Sequence, residues 1–183
     1  AAFAASGWHE PRGTVVAGMP ATRGGRAGPR MGLMSKTVRI GIVGYGNLGR
    51  GGETALTKNP DLELAAVFTR RPATLTVQDP RTPVLAMSEL DAPRDDIDVL
   101  ILCGGSKDDL PQQTPELSAR FCTVDSFDTH ARVPEHFAAV DAAAQAAGTT
   151  AIISCGWDPG MFSINRAFGE ALLPEGETYT FWG

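Results

Sequence analysis

Two adjoining runs decide the fold: TVRIGIVGYGNLGR at 37–50 and LELAAVFTRR at 62–71. The first reads as a strand carrying Val38, Ile40, Ile42 and Val43, then a turn with glycines at 44, 46 and 49, then a helix. The second reads as a strand from Leu62 to Phe68. A Gly-x-Gly-x-x-Gly between a strand and a helix builds a phosphate cradle. Gly44 permits the tight turn, Gly46 lets the backbone approach a pyrophosphate, and Gly49 lets the helix sit close to the strand. The helix's unbonded N–H groups then face the anion. In this β-α-β setting the pattern points to a dinucleotide. The competing reading is a glycine-rich connection with no ligand.

The tip of the second strand chooses between cofactors. A carboxylate there would accept hydrogen bonds from a ribose 2'-hydroxyl, whereas arginine accommodates a 2'-phosphate. The tip reads Thr69-Arg70-Arg71, with no carboxylate. Two guanidiniums beside a hydroxyl suit a phosphate dianion, which favours NADP(H) over NAD(H). A solvated arginine pair on a loop is the bland alternative.

The 183 residues suffice for one α/β domain with a sizeable core. A net charge of -5 argues against general nucleic-acid binding. Three cysteines, with no Cys-x-x-Cys, fit reduced thiols in a cytoplasm and offer no metal site. Cys103, Cys122 and Cys155 are each read as small buried hydrophobes. No apolar run reaches the roughly 18 residues of a membrane helix. Residues 1–33, with seven glycines, three prolines and four arginines against one glutamate, read as a disordered extension or a misassigned start, with Met31 or Met34 as the natural beginning.

Beyond Arg71 the chain alternates between strands and helices. The helix after Gly49 is expected to run to about Lys58, weakened by Gly51 and Gly52. A Pro- and Thr-rich crossover at 72–83 leads to a short apolar segment at Val84–Met87. The segment 98–103 reads as a buried parallel strand, opening into Gly104-Gly105-Ser106. Asp108 or Asp109 is expected to cap the next helix. A strand at 121–124 exits through 125–130, and Pro134 opens an alanine-rich helix stopped by Gly148. A last strand at 151–154 exits through Trp157 to Ser163, before a helix from about Ser163 to Leu173. The expected architecture is a doubly wound, Rossmann-type parallel α/β sheet.

In a parallel sheet all these exits lie along one edge, where ligands bind. Gly104, Gly105 and Ser106 would meet the dinucleotide there. Asp128 and Asp158 are candidates to hold a substrate ammonium, or else helix N-caps, with Trp157 and Trp182 as pocket walls. His130 reads as a loop histidine with no ligand role, and no residue is assigned as a catalytic acid or base.

Four stretches together resemble the meso-diaminopimelate dehydrogenase family: 44–50 (GYGNLGR), 68–71 (FTRR), 122–130 (CTVDSFDTH) and 156–166 (GWDPGMFSINR), with FWG at 181–183 also matching. The resemblance covers about residues 37–183. It implies NADP-dependent oxidative deamination of meso-2,6-diaminopimelate at its D-centre, giving L-2-amino-6-oxopimelate and ammonia, in a cytoplasmic homodimer. Carried over by position, Gly44, Gly46, Asn47, Leu48, Gly49, Thr69, Arg70 and Arg71 would hold the cofactor's phosphates. Gly104, Gly105 and Ser106 would line the dinucleotide, and Pro159, Gly160, Met161, Phe162 and Ser163 would approach its nicotinamide. Asp128, Asp158, Trp157 and Trp182 would bind substrate.

The expected organisation is an extension at 1–33, an NADP-binding domain at 34–175, and the start of a truncated substrate and dimerisation domain at 176–183. Without the rest of that second domain this stretch is expected not to turn over. The rivals are another NADP-dependent reductase of amino-acid metabolism, such as a homoserine dehydrogenase, and a non-catalytic NADP-sensing module. The reductases would share the first β-α-β unit but not the Trp157-Asp158-Pro159-Gly160 block, and the sensing module gains nothing from paired aspartates.

Overall fold

The computed structural model describes residues 37–91, 95–158, 160–173 and 175. Six parallel strands, β1 (Val38–Val43), β2 (Leu62–Thr69), β3 (Val84–Ala86), β4 (Val99–Leu102), β5 (Cys122–Asp125) and β6 (Ala151–Ile152), pair in the order β3-β2-β1-β4-β5-β6. Four helices, α1 (Asn47–Leu56), α2 (Leu110–Ser118), α3 (Val133–Ala147) and α4 (Met161–Leu172), accompany them. The order runs outward from β1 in one direction and from β4 in the other, which is the Rossmann arrangement.

Both faces of the sheet are covered, and the strands show why. In β4, Leu100 and Leu102 join a cluster with Val43, Phe68, Leu110, Leu117 and Phe127 on one face. Val99 and Ile101 pack with Ile40, Ile42, Leu56 and Val67 on the other. An unbroken VLIL is what a strand buried on two sides requires. At the amino edge, Asp98 accepts from Arg39 Nε (3.0 Å) and Nη2 (2.8 Å), pinning β4 to β1 away from the ligand edge.

Two details differ from the sequence reading. Helix α1 begins at Asn47 and ends at Leu56, so the third glycine of the motif lies inside its first turn. A Cβ on Gly49 would lie 2.4 Å from the Gly44 carbonyl oxygen, so only glycine lets α1 start this close to the strand. Strand β6 ends at Ile152, short of the expected Ser154, while the 72–83 crossover carries only a 3-10 turn at Pro72–Thr74, in keeping with its reading. At its far end α3 stops as expected, with Gly148 in the left-handed region (φ 70°). Along α4, Met161, Ile164, Phe168 and Leu172 form an exposed apolar stripe. The stretch 176–183, expected to begin a second domain, lies outside the described residues.

Candidate active site

The carboxyl ends of β1, β2 and β4 open onto a cleft of about 960 Å³. It lies where the strand order reverses, between β1 and β4. Gly44 and Gly46 line it from β1, Thr69, Arg70 and Arg71 from β2, and Gly104 and Gly105 from β4. Gly44 has φ 88°, and a Cβ there would lie 3.2 Å from the Cys103 carbonyl. Around Gly46 nothing lies within 4 Å of a built Cβ, so its open side faces the cleft. Helix α1 has no side-chain cap and no acid in its first turn, and its first N–H partner, Gly46 O, is reached only by Arg50 (3.1 Å). The N–H groups ahead of Arg50 are thus available to an anion.

Thr69 accepts a hydrogen bond from the Arg71 N–H (3.3 Å), which turns the chain so that both arginines stand exposed at the rim. Arg70 Nη1 lies 3.5 Å from Asp109 Oδ1 across the cleft. Asp109 occupies the cap position of α2, yet its side chain caps nothing there. Its Oδ2 instead accepts the Gly105 N–H at 2.8 Å and shapes the glycine loop. The expected helix cap is therefore a loop brace.

Several lining residues escaped the sequence reading: Tyr45, Arg50, Cys103, Asp109 and Gln113. Burial pushes the Cys103 thiol up to about 11, so it stays protonated at neutral pH and serves as packing. Tyr45 is raised by burial and by its hydrogen bond to Glu53, a carboxylate buried on α1. Glu53 also accepts the backbone N–H of Gln78 (3.0 Å) and Asp79 (3.1 Å), fastening the crossover beside the cleft. Glu53→Ala leaves these donors without their acceptor. It is expected to destabilise the fold by about 2 kcal/mol, read as a lower urea midpoint at constant slope.

The second cluster lies further along the same edge. Ser106 Oγ accepts the Asp128 N–H (2.9 Å) and sits 3.3 Å from Thr129 Oγ1, joining the β4 and β5 exits. Asp128 is exposed and caps no helix, since α3 starts after Arg132. His130 spans to the next exit: its Nε2 lies 3.4 Å from the Asp158 carbonyl oxygen and 3.9 Å from Asp158 Oδ1. The loop histidine is thus a link between Asp128 and Asp158, a role its sequence position did not reveal.

Asp158 Oδ1 also accepts from Ser163 Oγ (3.1 Å) and Arg166 Nη2 (3.3 Å), tying it to the first turns of α4. The cap position of α4 belongs to Gly160, whose N–H points at Ser163 Oγ (3.4 Å). Trp157 is 54% exposed, its ring 6.1 Å from Phe162, with the Arg166 guanidinium 5.3 Å from the Phe162 ring centre. Asn47, Leu48, Ser106, Gly160, Met161, Phe162 and Ser163 are not among the residues lining the cleft, and Gly49 is buried beneath it. Pro159 and Trp182 lie outside the described residues. Cys155, read as buried, is exposed because the chain has already left β6; Cys103 and Cys122 are half-buried. Among the described residues no group of His, Cys, Asp and Glu is placed to hold a metal, and no helix is long and apolar enough to cross a membrane.

Residues 156–183 match the family model for the diaminopimelic acid dehydrogenase C-terminal domain. The chain is 60% identical over 147 residues to a meso-diaminopimelate D-dehydrogenase of Lysinibacillus sphaericus, covering 80% of this chain and 45% of the relative. It is 49% identical over 146 residues to the enzyme of that name from Corynebacterium glutamicum, covering 80% and 44%. The solved C. glutamicum DAP dehydrogenase in complex with DAP superposes with a TM-score of 0.69 at 49% identity, over 81% of this chain and 45% of that one. An engineered D-amino acid dehydrogenase bound to NADP+ gives 0.69 at 49%, over 80% and 45%. The chain spans less than half the length of the relatives it matches. Over the parallel sheet and its exits, sequence and fold alike resemble the matching part of the meso-diaminopimelate dehydrogenases.

Proposed function

We propose that the whole protein oxidatively deaminates meso-2,6-diaminopimelate at its D-centre with NADP+, giving L-2-amino-6-oxopimelate, ammonia and NADPH, and reductively aminates in reverse. In this reading residues 34–175 form the NADP-binding domain, 176–183 begin the substrate and dimerisation domain, and the protein works as a cytoplasmic homodimer. One observation carries it: the loop that bears Asp128 is bonded to the glycine loop of the cleft through Ser106 and to Asp158 through His130. Two carboxylates therefore stand beside a cradle already suited to a dinucleotide. The relatives whose names specify the substrate, and the neighbour bound to NADP+, support the same assignment.

The open side of Gly46, the uncapped start of α1 and the arginine pair fit the phosphates of NADP. When bound, that cofactor supplies a two-electron acceptor for hydride. The chain's own residues do the rest by orientation. Asp128 and Asp158 hold the amine so that the α-hydrogen faces the cleft, and Trp157 sheds water from that path. The α-carbon gives up its hydrogen with the bonding pair, and the nitrogen loses a proton as its lone pair forms the C=N bond. Water then adds to that carbon and ammonia leaves.

Whole protein supplied with NADP+ is expected to form NADPH with meso-diaminopimelate and not with the L,L-isomer or homoserine. Turnover of homoserine alone would move the chain to the rival reductases. Cofactor binding without turnover of any amino acid would favour the sensing module.

A further inference from the structure

One buried side chain connects the two exits that carry Asp128 and Asp158. The Asp125 side chain ends β5 and is fully enclosed. Its Oδ1 accepts the backbone N–H of Phe127 (3.1 Å) and of Ser154 (2.7 Å). Its Oδ2 accepts from the Thr114 hydroxyl (2.8 Å) and is hydrogen-bonded to His136 Nε2 (2.6 Å). The Asp125 carbonyl oxygen takes a fifth bond, from the Cys155 N–H (2.8 Å). Phe127 immediately precedes Asp128, and Ser154 and Cys155 lead into the loop that presents Asp158. Behind them the His136 ring stacks on Phe127 (4.1 Å, 18°), locking the first exit against α3.

The backbone at Ser154 gives this arrangement its meaning. Among the described residues it is the one non-glycine with a positive φ, at 57°. Such a conformation costs a non-glycine residue free energy and persists where its surroundings fix it. Here the Ser154 N–H is aimed at Asp125 Oδ1. A buried carboxylate is tolerable only when its lone pairs are satisfied, and a satisfied network selects one geometry.

We propose that Asp125, backed by Thr114 and His136, is a positioning residue that sets the separation and orientation of Asp128 and Asp158 toward the substrate amine. The inference rests on the reading that those two carboxylates hold the amine. Asp125 itself touches neither cofactor nor substrate.

The test uses the whole protein and reads kcat, KM for meso-diaminopimelate, NADP+ affinity and melting temperature for each variant. Asp125→Asn should raise KM about tenfold while NADP+ affinity stays within about twofold. Thr114→Val, isosteric and remote from the loops, should raise KM about threefold, and Thr114→Ser should restore it. Unchanged KM in both Asp125→Asn and Thr114→Val, with lost activity merely tracking the folded fraction, would overturn the proposal. If Asp125→Asn does not fold, the Thr114 pair decides alone. Asp128→Asn and Asp158→Asn run in parallel. If they raise KM and the Asp125 and Thr114 variants do not, the positioning role alone is wrong. If they too leave KM unchanged, the amine-holding reading fails and this inference with it.

Discussion

Replacing both Asp128 and Asp158 by Asn is expected to lower kcat/KM for meso-diaminopimelate by about a thousandfold while leaving NADP+ affinity within about twofold. A hydrogen bond to a charged partner contributes about 1.5–3 kcal/mol, so each single change should cost roughly ten- to a hundredfold. The two residues start from different states. Asp128 is exposed, and among the described residues only its backbone N–H is engaged, by Ser106. The described hydrogen bonds to the Asp158 side chain fall on Oδ1, from Ser163 and Arg166, with His130 Nε2 3.9 Å away, and an asparagine keeps that oxygen. Asp158→Asn should therefore preserve the start of α4 while removing charge, which makes it a cleaner probe than alanine. In the aminating direction the same variants should raise the KM for ammonia, because the incoming nitrogen meets the same pair. Wild-type kcat/KM in the double variant would remove the amine site from this edge.

The sheet was legible because its signals are local and redundant. Alternation in β1, the glycine triad and the doubly apolar β4 each specify one element, and neighbouring turns agree with them. The candidate site was legible only in outline. Thr69, Arg70 and Arg71 sit on the cleft because a strand tip can point nowhere else once the sheet order is set. The contacts of Asp109 and His130 were not legible, because a cap position or a loop position says nothing about the partner a side chain finds in space. Asp125 was grouped with the exposed exit, although it is the last residue of β5 and faces inward. Its partners, at positions 114, 136 and 154, come from three other segments, and no local pattern unites them. His136 on the buried face of α3 was the one available hint.

Converting Arg70 and Arg71 together to Ser is expected to weaken NADP(H) binding by about a hundredfold or more and NAD(H) by no more than about threefold. The prediction follows from where the charges stand. Both guanidiniums are exposed at the rim, one and two residues past a strand that ends in a hydroxyl. Among the described residues Arg71 has no ion pair, and Arg70 has one long contact to Asp109 at 3.5 Å. An exposed pair of that kind contributes about 0–1 kcal/mol, so it yields readily to a phosphate dianion that both guanidiniums can reach. A 2'-hydroxyl offers them no charge and gains little from their presence. The rim is solvent-exposed, so the NADP(H) preference should also shrink as ionic strength rises, and the double variant should lose that salt dependence. Titration of each dinucleotide into the whole protein at low and high salt reads both effects. Equal losses for NADP(H) and NAD(H) would mean that the arginines act on the shared pyrophosphate, and the choice of cofactor would then have to be made elsewhere in the cleft.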